Sequence, residues 1–265
     1  MNLISWNVRG LNGPRKYRMI KNLIQKEKPH LLFLQETKCN SQTLGSILTK
    51  AWPGSRSVAV DAVGSSGGLA IAWNPQALQI GNFHASHNLI QATFHPIGTN
   101  IHGHLSNVYF PQDLASKVAL LNTLEHLNSN RTHPIWILGG DFNMITRLAE
   151  KSGGRARLDQ DSAHFKDFIS NKWLMDVPFC NGLFTWSNRR TGRQQIASKL
   201  DRFLLSDNAI HVGGDITGTI LPIPGSDHWP IILQWQSIGF HLKKPFRFEA
   251  FWLSHPTFSD LVHSV

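Results

Sequence analysis

The stretch PIPGSDHWPIIL, residues 222 to 233, sets an acid and a histidine side by side ahead of an apolar run. Neighbouring side chains of a regular strand point to opposite faces, so Asp227 and His228 could not serve one site from within β structure. Pro224, Gly225 and Pro230 mark an irregular approach to the strand IILQW, where both side chains can turn the same way. Other polar residues close apolar runs: Asn7 ends LISWN, Glu36 ends LLFLQE, Tyr109 ends HLSNVY, and Asp141 with Asn143 ends IWILGGDFN. Asp201 stands near the start of KLDRFLLS. Carboxylates from Glu36, Asp141, Asp201 and Asp227, amides from Asn7 and Asn143, and a single histidine suit a hard cation such as Mg²⁺ or Mn²⁺ better than zinc. Converging carboxylates repel one another and hold their protons more tightly, so a bound divalent ion is implied if the set converges. Taken singly, each carboxylate reads equally well as a cap on a strand-end turn. GGDFN carries more weight, because Gly139 and Gly140 let the backbone turn sharply and Asp141 and Asn143 share one face of an extended chain.

These residues need strands to carry them. LISWNV (3–8) and LLFLQE (31–36) flank a helical stripe of Tyr17, Ile20, Leu23 and Ile24 that begins at Pro14, which predicts a βαβ opening. SVAVDAV and LAIAW around GSSGG predict a hairpin over 57–73, and LQIGNF, LIQATFH and HLSNVYF predict further strands. Asp113 caps a helix lined by Leu114, Val118, Leu121 and Leu124, and a second helix is predicted near 161–171. FTWSN, KLDRFLLS, GTILPI and IILQW complete the strands. Open α/β sheets gather functional groups at the carboxyl ends of strands, where Asn7, Glu36, Tyr109, Asp141 and Asn143 stand. Asp201 and His228 stand at strand beginnings, so their strands must run the opposite way and the sheets must be mixed. Many short strands with few helices predict two such sheets face to face, with helices on the outer faces.

Composition narrows the partners. The chain of 265 residues carries 26 Lys and Arg against 17 Asp and Glu, a formal charge of +9 and a pI near 9.8. That balance favours a polyanionic partner, nucleic acid ahead of a membrane, since no amphipathic basic helix is evident. Cys39 and Cys180 are too few for a disulfide framework, and the chain shows neither leader nor membrane span; both features predict an intracellular protein. Composition shifts after about residue 237, where HLKKPFRFEAFWLSHPTFSDLVHSV begins.

SWNVRGL, LQETK, NVYFP, GGDFN, SKLDRFLLS and SDHWPI together resemble the endonuclease/exonuclease/phosphatase superfamily, in family order over residues 1–237. The EKSGG loop and the KKPFRFEAFWLSHPTF tail narrow the likeness to the endonuclease domain of plant-type LINE, or non-LTR, retrotransposon polyproteins. The resemblance implies a DNase I-like, four-layered α/β sandwich over 1–237. It makes 238–265 a segment leading towards a reverse transcriptase. It also implies metal-dependent phosphodiester cleavage by a monomer acting on DNA, in the nucleus if that DNA is chromosomal. Glu36 is then the principal Mg²⁺ ligand, helped by Asn7 and Asp227. Asp141, steadied by Asn143, activates water; His228, oriented by Asp201, and Tyr109 contact the phosphate. Thr185 and Ser226 support these groups. Trp229 is bulkier than the residue expected after SDH and bears on the width of the cleft.

On charge alone RRTGRQQIAS and its flanks, with Arg189, Arg190, Arg193, Lys199 and Arg202 predicted on one hairpin beside the site, read equally as a solvated basic loop; the resemblance implies that this hairpin contacts DNA. Three readings follow: a nicking DNA endonuclease, a phosphatase or RNA-directed phosphodiesterase of the same fold, and an inactive DNA-binding remnant. The complete ligand set speaks against the last, and the basic hairpin and tail against the second.

Overall fold

Strands β1 (Asn2–Asn7) and β2 (Leu31–Gln35) are buried on both faces at every position but Asn2, with Leu3, Ile4 and Trp6 of the first and all of the second but Gln35 apolar. They pair in parallel through helix α1 (Pro14–Glu27), which has Pro14 in its first turn, where no amide hydrogen is needed, and buries Ile20, Leu23 and Ile24. The computed structural model describes residues 1–236 apart from 65, 130, 131, 156 and 224. The predicted tail at 238–265 and Pro224 therefore lie outside the described residues.

Around this pair, β3 (Arg56–Val63), β4 (Ser66–Trp73), β14 (Asp215–Ile220) and β15 (Ile231–Gln236) complete a six-stranded sheet in the order β14-β15-β1-β2-β4-β3. A second six-stranded sheet contains β5 (Leu78–Ser86), β6 (Leu89–Pro96), β7 (Gly103–Tyr109), β8 (Ile135–Asp141), β10 (Leu174–Asp176) and β13 (Asp201–Ser206). Its order is β10-β13-β8-β7-β6-β5, with β7 and β8 parallel and the other pairs antiparallel. Both sheets are mixed, as the placement of Asp201 and His228 requires: β13 runs antiparallel to β8 and β15 antiparallel to β1. A short third sheet joins β9 (Lys151–Ser152), β11 (Trp186–Ser187) and β12 (Ala197–Ser198) at the rim.

Strand alternation sorts the apolar residues into three cores. Leu3, Leu31 and Phe33 meet Leu105, Ile137 and Phe203 between the sheets. Their neighbours Ile4, Leu32 and Leu34 face outward, under α1 and helix α2 (Ser41–Ala51). On the far side Trp136, Leu138 and Leu204 lie under α3 (Leu114–Ser129) and α4 (Asp161–Asn171). The result is a four-layered α/β sandwich. Among the described residues no helix is long and apolar enough to cross a membrane.

Two elements differ from expectation. Helix α2 has no strong sequence signature because its apolar stripe is short; Asn40 starts it by accepting from the Thr43 amide at 2.8 Å, and Leu44 and Leu48 bury one side. Gly139 and Gly140 do not form a turn, since both belong to β8. A β-carbon on Gly139 would stand 2.6 Å from the Phe203 ring, and one on Gly140, at φ +150°, would stand 2.0 Å from the Val108 carbonyl oxygen. The glycines thus permit close approach between chains. Gly140→Ala is expected to cost about 3 kcal/mol or more through strain and overlap with backbone. Gly45→Ala in α2, where a β-carbon meets nothing within 4 Å, should stabilise by roughly 0.5–1 kcal/mol. Urea unfolding of the two variants checks both signs.

Candidate active site

The two parallel pairs bring their carboxyl ends to one edge of the sandwich. Asn7 ends β1, Glu36 follows β2, and Tyr109 and Asp141 are register partners at the ends of β7 and β8. The antiparallel strand β13 begins there and sets Asp201 opposite Asp141. Asn7 links the sheets: its Nδ2 donates to Glu36 Oε1 at 3.1 Å and to Asp141 Oδ2 at 2.9 Å. The Tyr109 hydroxyl donates to the same Glu36 oxygen at 2.9 Å. Glu36 itself holds a left-handed backbone, φ 50°, as do Arg9 at 47° and Lys38 at 53°. Such angles are uncommon outside glycine and often mark functional turns.

The loop before β15 brings both of its polar neighbours to this edge. The Ser226 hydroxyl donates to the Asn7 carbonyl at 2.8 Å and accepts from the His228 amide at 3.2 Å, fixing the loop against β1. His228 Nδ1 then meets Asp201 Oδ2 at 2.9 Å, while its Nε2 stands 3.7 Å from Asp141 Oδ2. Asp227 is half-buried, and Trp186 Nε1 donates to its Oδ2 at 3.0 Å while the Arg9 guanidinium pairs with it. The Thr185 hydroxyl accepts from the Asp201 amide at 2.9 Å and anchors the start of β13.

Burial alone would lower the His228 pKa, but the charges of Asp201 and Asp141 outweigh it and raise the pKa to about 9. Burial raises Asp141 to about 7, against the pull of His228. Glu36 is lowered: burial opposes ionisation, yet hydrogen bonds from Asn7 and Tyr109 and the charges of Arg9 and Lys38 outweigh it. Asp227 is also lowered, with burial again outweighed, here by His228, Trp186 and Arg9. Glu36 and Asp227 are therefore ionised oxygen donors and Asp141 is a group poised near neutrality. Positive charge is already drawn to the first two: Arg9 Nε lies 3.7 Å and Lys38 Nζ 3.6 Å from Glu36 Oε2, and the same Arg9 holds Asp227. The donors are mostly carboxylate oxygens, the kind a divalent cation takes, and among the described residues Asp141, Asp201 and His228 bring one ligand atom each within 4.8 Å of one another.

Other expected residues lie elsewhere. Asn143 does not share a face with Asp141; at φ 49° its backbone amide donates to Asp141 Oδ1 at 3.0 Å and its side chain holds the Phe110 carbonyl. Arg189, Arg190 and Arg193 are exposed on the loop between β11 and β12. Lys199 and Arg202 are not on that surface. Both are buried, Arg202 bonded to Glu150 Oε2 at 2.6 Å and Lys199 to Asp176 at 2.9 Å. Every residue of β13 is buried, so a cation there must find carboxylates. Sequence reasoning also missed Arg9, Lys38 and Trp186, although each lies inside or beside a quoted motif. Beside the site opens a polar cleft of about 900 Å³ lined by Asn143, Trp186 and Lys151 and by the ion pairs Lys117–Asp161 and Arg157–Asp159.

A two-sheet sandwich that gathers carboxylates and an Asp-paired imidazole beside a polar cleft at one edge is the arrangement of a nuclease/phosphatase-type hydrolase. The chain belongs to the Endonuclease/Exonuclease/phosphatase family, whose sequence profile matches residues 4–228. Among solved structures, the AP endonuclease LMAP from Leishmania major matches with a TM-score of 0.72 at 16% identity, covering 89% of this chain and 87% of that one. The endonuclease domain of TRAS1, a telomere-specific non-LTR retrotransposon, gives 0.66 at 14% identity over 89% and 98%. Mannosyl-6-phosphatase Bt3783 from Bacteroides thetaiotaomicron VPI-5482 gives 0.63 at 18% identity over 89% and 99%. At such identities the likeness is one of fold, and the fold serves more than one substrate class. No curated protein sequence matches the chain.

The imidazole is open to a direct check. A raised pKa means that the His228 contribution to stability is complete below its unfolded value near 6.5 and is lost as pH rises through about 9. Asp201→Asn removes the largest charge that raises it, so the His228 resonances, followed by NMR, should titrate at lower pH in the variant. An unchanged titration would show that Asp201 does not govern the ring.

Proposed function

We propose that this protein is a divalent-metal-dependent DNA endonuclease that nicks one strand and leaves 3′-hydroxyl and 5′-phosphate ends. The observation that carries the reading is the Asp201–His228–Asp141 chain, with His228 2.9 Å from Asp201 and 3.7 Å from Asp141, joined through Asn7 to Glu36. Glu36 and Asp227 would hold Mg²⁺ or Mn²⁺, which when bound offsets the charge on phosphate oxygens and on the leaving 3′ oxygen. Asp141, with a pKa of about 7, takes a proton from the water whose oxygen attacks phosphorus as the bond to the 3′ oxygen breaks. Protonated His228 donates through Nε2 to a non-bridging phosphate oxygen, and Asp201 keeps Nδ1 in the donor role. Solvent protonates the departing 3′ oxygen. Tyr109 and Asn7 orient Glu36 through the bonds described above.

A polymer substrate is favoured over a small phosphorylated molecule by exposed Arg189, Arg190 and Arg193 on the loop whose ends, Trp186 and Ser198, line the cleft. The 3′-hydroxyl end can prime synthesis, which fits the EKSGG loop and the tail that resemble retroelement polyproteins. A reverse transcriptase in the same polyprotein would use that end, and chromosomal DNA as target would place the reaction in the nucleus.

Supercoiled plasmid with Mg²⁺ should become open circle before linear DNA appears, and a polymerase should extend the nick without end repair. Glu36→Gln and Asp141→Asn should each lower the rate by about 100-fold or more with unchanged circular dichroism. Hydrolysis of sugar phosphates or RNA with plasmid left intact would instead establish the phosphatase or RNA-directed reading, and DNA binding without any cleavage the inactive one. Binding gives a separate measurement: Arg190→Ala with Arg193→Ala should flatten the slope of log K against log salt by up to about 0.9 per lost phosphate contact. An equal slope would put DNA on another face.

A further inference from the structure

Four of the fourteen histidines gather at the opposite end of the second sheet. His95 lies near the end of β6, His102 directly precedes β7, His104 is its second residue, and His133 lies two positions before β8. Register makes this a consequence of the fold. Phe94 pairs with Gly103, so His95 and His102 face each other across the antiparallel ladder. The parallel pairing of Gly103 with Ile135 then brings the loop carrying His133 alongside. The rings of His95 and His102 stack at 4.2 Å, those of His102 and His133 lie 5.4 Å apart, and those of His104 and His133 5.7 Å. A cavity of about 300 Å³ opens on His95, His102 and His133. Tyr109, at the catalytic edge, ends the seven-residue strand that His102 precedes, a separation of roughly 20 Å.

We infer that His95, His102 and His133 form a binding site for a transition-metal ion of the zinc class, separate from the catalytic centre. The chemistry is selective, since imidazole nitrogen suits Zn²⁺, Co²⁺, Ni²⁺ and Cu²⁺ and suits Mg²⁺ poorly. His95 Nδ1 lies 2.9 Å from the Ile101 carbonyl oxygen. A carbonyl can only accept, so Nδ1 carries the proton and Nε2 presents a bare lone pair, the tautomer of a metal-binding histidine whose other nitrogen is tied back to the protein. Spacing agrees for one pair of rings. With Zn–N bonds of about 2.1 Å, two imidazoles on a tetrahedral ion have ring centres roughly 5 Å apart. His102 and His133 are already near that separation, whereas the parallel His95 and His102 rings must open by about 1 Å and turn, because the three residues do not yet bring one nitrogen each within 4.8 Å of the others. His102 is exposed and the other two are half-buried, which gives an ion access and leaves a coordination position for water. His104, near the Thr132 hydroxyl at 3.3 Å, borders the site through its ring contact with His133.

The test is calorimetric titration of the full chain with Zn²⁺ in excess Mg²⁺, repeated with Co²⁺ so that its visible absorption reports a tetrahedral nitrogen environment. One equivalent should bind to the unaltered protein and equally to Glu36→Gln, which removes a catalytic carboxylate. His102→Ala and His133→Ala should each weaken binding by at least about tenfold while circular dichroism stays unchanged. The inference fails if no ion binds, if the histidine variants bind as the parent does, or if Glu36→Gln abolishes the equivalent.

Discussion

Glu36 and Asp141 belong to different sheets, and one amide group holds both. The Nδ2 of Asn7 lies 3.1 Å from the first carboxylate and 2.9 Å from the second, in a place where all three side chains are buried. Two carboxylates brought this close would repel, and in a buried setting that repulsion is poorly screened. A donor between them makes the approach tolerable, and the spacing it sets depends on the packing between the sheets. Gly139 leaves room for Phe203 and Phe33 in that interface, and Gly140 lets β8 lie against Val108. The depth of the core and the geometry of the site are thus one constraint. A bulkier residue at either glycine would move Asp141 relative to Glu36 before it touched any reacting group.

A second buried arrangement sits behind the first. Arg202, the residue after Asp201, binds Glu150 and Asp176, and Lys199 binds Asp176 as well. Glu150 is held ionised, its pKa lowered to about 2: burial opposes this, but Arg202 and the Thr146 amide outweigh it. Burying two cations with two anions gains little net stability, because desolvation offsets most of the attraction, whereas losing one partner would cost about 3–5 kcal/mol. What the network gives is position. The Glu150 carbonyl also accepts from the Lys199 amide, and β9 pairs with β12, so the rim sheet carrying Trp186 and the arginine loop is tied to the strand that begins with Asp201. The exposed arginine loop and the acid bonded to His228 are therefore held in one frame.

Much of this was legible in the sequence, for physical reasons that also explain the rest. Strand-end polar residues signalled the edge because alternation and direction are fixed by backbone geometry; Asp201 and His228 at strand beginnings even required two reversed strands, and β13 and β15 run that way. Helix α2 was hidden since only Leu44, Leu48 and Ala51 of its eleven residues are buried. Charge composition cannot tell a solvated cation from a paired one, which is why Lys199 and Arg202 read as surface residues alongside Arg190 and Arg193. Asn143 was misread because its left-handed backbone breaks the period of two on which the shared face depended. Arg9 and Lys38 escaped notice because an acidic site was read for its acids alone.

Strand direction finally explains why the molecule has two dissimilar polar ends. Each six-stranded sheet contains one parallel pair, β1 with β2 and β7 with β8, and parallel strands need crossovers that carry the chain back along the outside. Helices α1 and α3 make those returns, so the carboxyl ends of both pairs stay free of hairpins and can hold oxygen donors close together. The amino ends of β7 and β8 receive only short loops from β6 and α3, and there imidazoles gather instead. Carboxylates at one end call for a cation or a counter-charge, which Arg9 and Lys38 supply in part, while imidazoles gather and stack at the other. The separation of the two along β7 keeps soft-metal ligands away from the oxygen-rich edge, so an ion chosen by one set has little reason to occupy the other.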